Sequence, residues 1–252
     1  MTKNRIKNSI LGLMIGVLVI FALWFLLYLI VANSYLIPSP TAVIKASFLN
    51  LTSLEFYHHL STTVLRVLFA LILSFALGVC LAILSHLFFG FENVMLPIVS
   101  IIRSLPILAV LLIILVFTAR TVAPVIVCVL SVFPIVYSQT LNYLKSVDCK
   151  QKEMLALYKV PLKTQIFSVY LKGYLPLFIK ETTTLFSFSL KLVVSAEILA
   201  NVFKSIGGDI SNASIYSNVT LMFSLTLLVC LVGIIVEVMG KFICFQMEKK
   251  FQ

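Results

Sequence analysis

Ser146–Pro176 reads SVDCKQKEMLALYKVPLKTQIFSVYLKGYLP, and it is the one long central stretch that is not apolar enough to sit in a membrane. Lysines crowd it: Lys145 just ahead, then Lys150, Lys152, Lys159, Lys163 and Lys172. Its apolar residues fall at helical spacing. Met154, Leu155, Leu157 and Tyr158 lie towards one side of a first short helix. Leu162, Ile166, Val169 and Tyr170 follow i, i+4, i+7, i+8 on a second. Pro161 separates the two. It has no N–H to give and suits the first turn of a new helix, so the break has a mechanical cause. A basic helix–break–helix with apolar knobs, set between hydrophobic runs, reads as a surface for a partner to grip.

The surroundings fix the class. The chain has 252 residues, 61% hydrophobic and 11% charged, with a mean hydropathy of +1.13. A water-soluble domain of this length carries about twice that share of charge. The expectation is an all-α membrane protein of about six spans: 10–32, 64–89, 94–118, 122–144, 177–200 and 219–242. These form one transmembrane domain, 10–242, between a short N-terminus (1–9) and a tail (243–252). The first run is longer than the roughly 7–15 apolar residues of a signal peptide, so it is read as a retained span.

Charge sets the orientation. Inside the six-span arrangement fall Lys3, Arg5 and Lys7, the six lysines of the 145–176 loop, and Lys241, Lys249 and Lys250; outside fall Lys45, Arg120 and Lys204. Twelve against three is a positive-inside bias that puts both termini and the central loop in the cytoplasm. The net charge of +10 therefore points to a bilayer surface and not to nucleic acid.

Several polar residues stand out within or beside the spans. Arg66 lies near a span start, where a long side chain reaches the interface. Arg103 and Pro106 lie deep in the third span, and a charge there faces protein or water. Lys191 and Glu197 lie in the fifth. Glu197 is read either as a residue of a path or gate, or as the partner of Lys191 or Arg103. An anionic solute would suit Arg103 and Lys191. His58 and His59 are read as a solvated or interfacial pair, because neighbours on a helix point to different sides.

Nothing here carries chemistry of its own. The one Gly-Lys pair, Gly240-Lys241, lacks the glycine and hydroxyl of a phosphate-binding loop. The cysteines Cys80, Cys128, Cys149, Cys230 and Cys244 show no metal or disulfide spacing. No cofactor and no metal are expected, and no enzyme activity.

The central loop resembles the EAA loop of permease subunits of bacterial ABC importers. Glu153 stands at the glutamate, Met154 and Leu155 at the two alanines, Lys159 at the glycine and Pro176 at a later proline. Ala156 and Pro161 complete the helix pair. Other segments resemble the sulfonate/nitrate/taurine-type branch: Ile37-Pro38-Ser39-Pro40, Leu65-Arg66-Val67, Arg103-Ser104-Leu105-Pro106, Ala196-Glu197 and Ser205-Ile206-Gly207. The resemblance runs from about residue 36 to 240. It implies a type I importer permease fold in the bacterial plasma membrane, paired with a second permease subunit. It also implies two cytoplasmic ATP-binding subunits on the loop, an external solute-binding protein, and as solute a small anion or a vitamin-precursor-like molecule. Arg66, Arg103, Pro106, Lys191 and Glu197 become candidates for the path or its gate. The competing class is an ion-gradient transporter, whose pointers would be mid-membrane acids and repeated halves.

Overall fold

A computed structural model describes residues 2–146, 154, 157, 158, 160, 161, 164 and 171–251; within these, the side chains of 2–11, 13, 14, 89, 171–177 and 244–251 are left undescribed. Nine helices appear among the described residues: α1 (Thr2–Val31), α2 (Pro40–Thr52), α3 (Leu54–Leu87), α4 (Phe89–Ser104), α5 (Ile107–Phe117), α6 (Ala123–Ser146), α7 (Leu171–Ala200), α8 (Ile206–Ile215) and α9 (Val219–Phe251). No strand occurs among them. Four are long and apolar enough to cross a membrane (α3, α6, much of α7 and α9); α4 and α5 together make a fifth if counted as one bent span. Ile15–Val31 of α1 adds a shorter apolar helix.

Packing centres on α6, the most enclosed of these helices. It lies along α3, and Gly78 allows the close approach: a Cβ there would stand 2.8 Å from Val136 Cβ. Val67, Leu71 and Phe75 of α3 meet Val132 and Val136 of α6, Leu190 and Val193 of α7, and Leu225 of α9 in one core. Ser85 Oγ of α3 and Tyr137 Oη of α6, both buried, lie 2.9 Å apart and give each other a hydrogen-bond partner. α7 and α9 are joined where Ser187 Oγ donates to the Gly233 carbonyl at 2.8 Å. Outward faces carry exposed Phe69, Ile72, Val116 and Phe117, as suits contact with lipid.

The local rules explain the short elements. Ser39 caps α2 by accepting from Ala42 N at 3.2 Å, with Pro40 in the first turn. Helix α3 begins at Leu54, ten residues ahead of the expected span start, so the polar segment before the span is its first turns. The expected third span is two helices meeting at 94°. Leu105 is extended (φ −67°, ψ 132°) because it precedes Pro106, which disfavours helix before it and brings no N–H of its own.

Candidate functional site

Three helices converge on one carboxylate. Glu197, late in α7, is fully buried. Arg66 Nη1 donates to its Oε1 at 2.6 Å, with 17% of the arginine side chain exposed. Thr63 Oγ1, one turn earlier on α3, lies 3.2 and 3.0 Å from the two carboxylate oxygens and donates to them. Gly207 N donates to Oε2 at 3.2 Å, and Ile206 N donates to Thr63 Oγ1 at 3.2 Å. The first turn of α8 thus spends two of its orphan N–H groups on this cluster, and a third, Gly208 N, on the capping Ser205 Oγ. A negative charge at a helix N-terminus is favourable in itself. A charge so enclosed is tolerated only when paired and hydrogen-bonded, and all these donors are present.

Gly207 and Gly208 make the approach possible. A Cβ on Gly207 would stand 2.3 Å from Glu197 Cβ and 2.7 Å from the Val194 carbonyl; one on Gly208, 2.0 Å from the Val202 carbonyl. The turn leading into α8 holds Asn201 and Lys204 at positive φ (46° and 55°), and Thr62 Oγ1 donates to the Lys204 carbonyl at 2.8 Å.

A second tie lies one turn further out on α3. His59 is buried, with its Nδ1 2.7 Å from Asp209 Oδ2 of α8. Burial holds the Asp209 carboxyl above its ordinary value of 3.8, and the His59 hydrogen bond pulls against that rise. His58 remains exposed. The expectation of a solvated histidine pair is therefore corrected: a helix that begins at Leu54 aims His59, Thr63, Arg66 and Ala70 along one inward face. Beside Asp209, residues of α2, α3, α8 and α9 enclose a cleft of about 270 Å³, with Asn50, Glu55 and Asn212 at its polar wall and Phe56 and Leu225 at its apolar one.

The other expected residues do not join this cluster. Arg103 ends α4, where its charge suits the helix's negative end. Its Nη2 donates to the Pro134 carbonyl of α6 at 3.2 Å, and it is otherwise exposed at a groove of about 280 Å³ beside the α4–α5 bend. Pro106 forms the exposed corner of that bend. Lys191 faces another groove, of about 160 Å³ between α7 and α9, which Glu237 also lines. The expectation that Glu197 pairs with Lys191 or Arg103 is corrected to Arg66. Arg66 is twelve residues into α3, not at its start, and so reaches inward instead of to the interface. Of the loop residues, Met154 and Pro161 are exposed and Pro176 lies in the first turns of α7. Glu153, Ala156 and Lys159 lie outside the described residues. Among the described residues, no group of three or more His, Cys, Asp or Glu side chains is placed to hold a metal ion.

Residues 74–248 match the family of the binding-protein-dependent transport system inner membrane component. The chain belongs to that family. It is a multi-pass membrane protein of a transport system, and the all-helical fold with its apolar spans agrees with that membership. No curated protein matches the chain. Arg103, Pro106, Lys191, Glu197, Gly207 and Asp209 lie within the matched segment of this permease family; His59, Thr63 and Arg66 lie ahead of it. Sequence reasoning passed over Thr63 and Asp209. The signal for the first was present as a polar stripe, His59, Thr63 and Arg66, at i, i+4, i+7.

Proposed function

We propose that the chain is the permease subunit of an ATP-binding-cassette importer. With a second permease subunit, a second copy of this chain in the simplest case, it forms a solute path across the bacterial plasma membrane. Two cytoplasmic ATPase subunits grip the 146–176 loop, and an extracytoplasmic solute-binding protein delivers the cargo. Both termini are cytoplasmic. The chain contributes no ATPase site and is not an enzyme; its work is mechanical, changing which side of the membrane the path opens to. The solute is a small anion or a vitamin-precursor-like molecule.

The observation that carries this reading is the family match over 74–248, which spans the loop and every helix from α4 to α8. The loop supports it: Met154, Leu157 and Tyr158 expose 53%, 80% and 74% of their surface in a lysine-rich segment, as apolar knobs for a groove on a partner would. The Glu197 cluster gives the opposite end its stiffness. It joins α3, α7 and α8, so a push on α7 from the loop is carried to the far side by ion pair and hydrogen bonds.

The test is co-purification from native membranes in mild detergent, read by mass spectrometry. The native chain is compared with Glu153→Arg/Ala156→Asp, which alters the loop alone. An ATPase subunit retained by the native chain and lost by the variant is the expected result. Its absence from the native sample, under conditions that keep other membrane complexes whole, would overturn the reading.

A further inference from the structure

Among the described residues, side chains tie the bend between α4 and α5 only lightly to the rest of the bundle. The outer ends of α2, α3, α7, α8 and α9 are cross-linked by Asn50–Ser224, His59–Asp209, Thr62–Lys204 and the Glu197 cluster. The bend has one described side-chain tie to another helix, from Arg103 to the Pro134 carbonyl. A guanidinium carries five N–H donors in a planar fork, so most of its capacity is unspent on the chain. The guanidinium is exposed on the surface of an apolar span, where contact with lipid is costly. Interrupted helices at membrane depth are tolerated where they line a cavity or are buried in protein, and they mark solute sites in other transporter folds.

The groove beside Arg103 has the matching shape. Among the described residues it is lined by Leu130, Ser131 and Ile135 of α6 and by Phe188 and Leu192 of α7, and among them its lining carries one charge, positive, and no carboxylate. Lys191 is turned into a different groove that also holds an acid, Glu237. We propose that Arg103 is the charge-selecting residue of the path: the bend between α4 and α5 presents it to the anionic group of a small organic solute whose apolar part lies along Phe188 and Leu192, while the Ser131 hydroxyl in the same groove is spent on the Val127 carbonyl at 2.8 Å. This rests on the permease reading for its account of the path, but its test does not need the ATPases.

The test is chemical labelling of the full chain in membrane vesicles. Cys80, Cys128, Cys149, Cys230 and Cys244 are replaced by alanine or serine, and Ser131→Cys supplies one thiol in the groove. Its rate of modification is measured with two thiosulfonate reagents of similar size, one bearing a sulfonate and one a trimethylammonium group. An opposite charge close by in a wet groove is worth about 1 kcal/mol, or roughly five-fold in rate for each sign of reagent. The anionic-to-cationic rate ratio is expected to fall about 25-fold on Arg103→Gln and to survive in Arg103→Lys. Using a ratio within each background cancels the reagents' intrinsic difference. A thiol at position 131 that neither reagent reaches would show that the groove is lipid-filled and would overturn the proposal; so would a ratio unchanged by Arg103→Gln. Loss of the ATPases in the co-purification leaves this labelling result intact, so the two readings fail separately.

Discussion

Removing the Arg66 side chain tests the Glu197 cluster most sharply. Arg66→Met keeps the length and apolar stem of the side chain while deleting the charge. Glu197 is then left with no exposed surface and, among the described residues, with the Thr63 hydroxyl and Gly207 N–H as its remaining donors. Breaking a buried ion pair from one side costs about 3–5 kcal/mol. Arg66 is 17% exposed and the other two donors remain, which argues for the low end, about 3 kcal/mol. At roughly 2–4 °C per kcal/mol for a chain of this size, the thermal midpoint falls by about 6–12 °C. Glu197→Gln leaves an uncharged amide and an unpaired arginine that turns to solvent, and is expected to cost about half as much. Joined in one chain, the two changes leave no uncompensated charge. Their costs should therefore not add, with a coupling of about 2 kcal/mol. The assay is thermal unfolding of the purified chain in one detergent, followed by Trp24 fluorescence. Costs that simply add, or an Arg66→Met variant within a degree of the native chain, would refute the assignment of the pair.

Three further outcomes follow from the same geometry. Gly207→Ala and Gly208→Ala each drive a methyl into backbone or a buried carboxylate stem and should cost about 3 kcal/mol or more, whereas Gly233→Ala, whose nearest contact would be 3.6 Å, should cost nothing measurable in the same unfolding assay. Gly78→Ala forces α3 away from Val136 and should cost about 1–3 kcal/mol, with a matching loss on Val136→Gly relieved when both are combined. Asp209 binds its proton more tightly folded than unfolded, so its contribution to stability falls as pH rises from 3.8 through its raised native value; Asp209→Asn should remove that slope from the pH profile of the midpoint.

Much of this was legible in the chain. Uncharged runs and a lysine-rich break between them point to a helical membrane protein, because the bilayer demands long apolar helices. Ser39-Pro40 marks the start of α2, since cap and first-turn proline are local signals. The partner of Glu197 was not legible. Pairing an acid on α7 with a base on α3 depends on where α3 begins, and Ser53 breaks the chain there without a side-chain cap that would announce it. The right-angled bend at Leu105–Pro106 was half legible: Pro106 shows that a helix is interrupted, but the angle is set by how α5 seats Leu111 against Ala123 and Val127 of α6 and Ala196 of α7. Asp209 was invisible as a site residue because its partner, His59, is 150 residues away.

The central claim is that an ATPase grips the exposed knobs of the central loop. A photo-reactive amino acid placed at Leu157, which is 80% exposed, tests it inside intact cells. Irradiation should join this chain to a nucleotide-binding subunit, with the yield changing when ATP hydrolysis is arrested by vanadate. Capture of no nucleotide-binding protein at Leu157, while the same residue at exposed Phe117 behaves identically, would contradict the account.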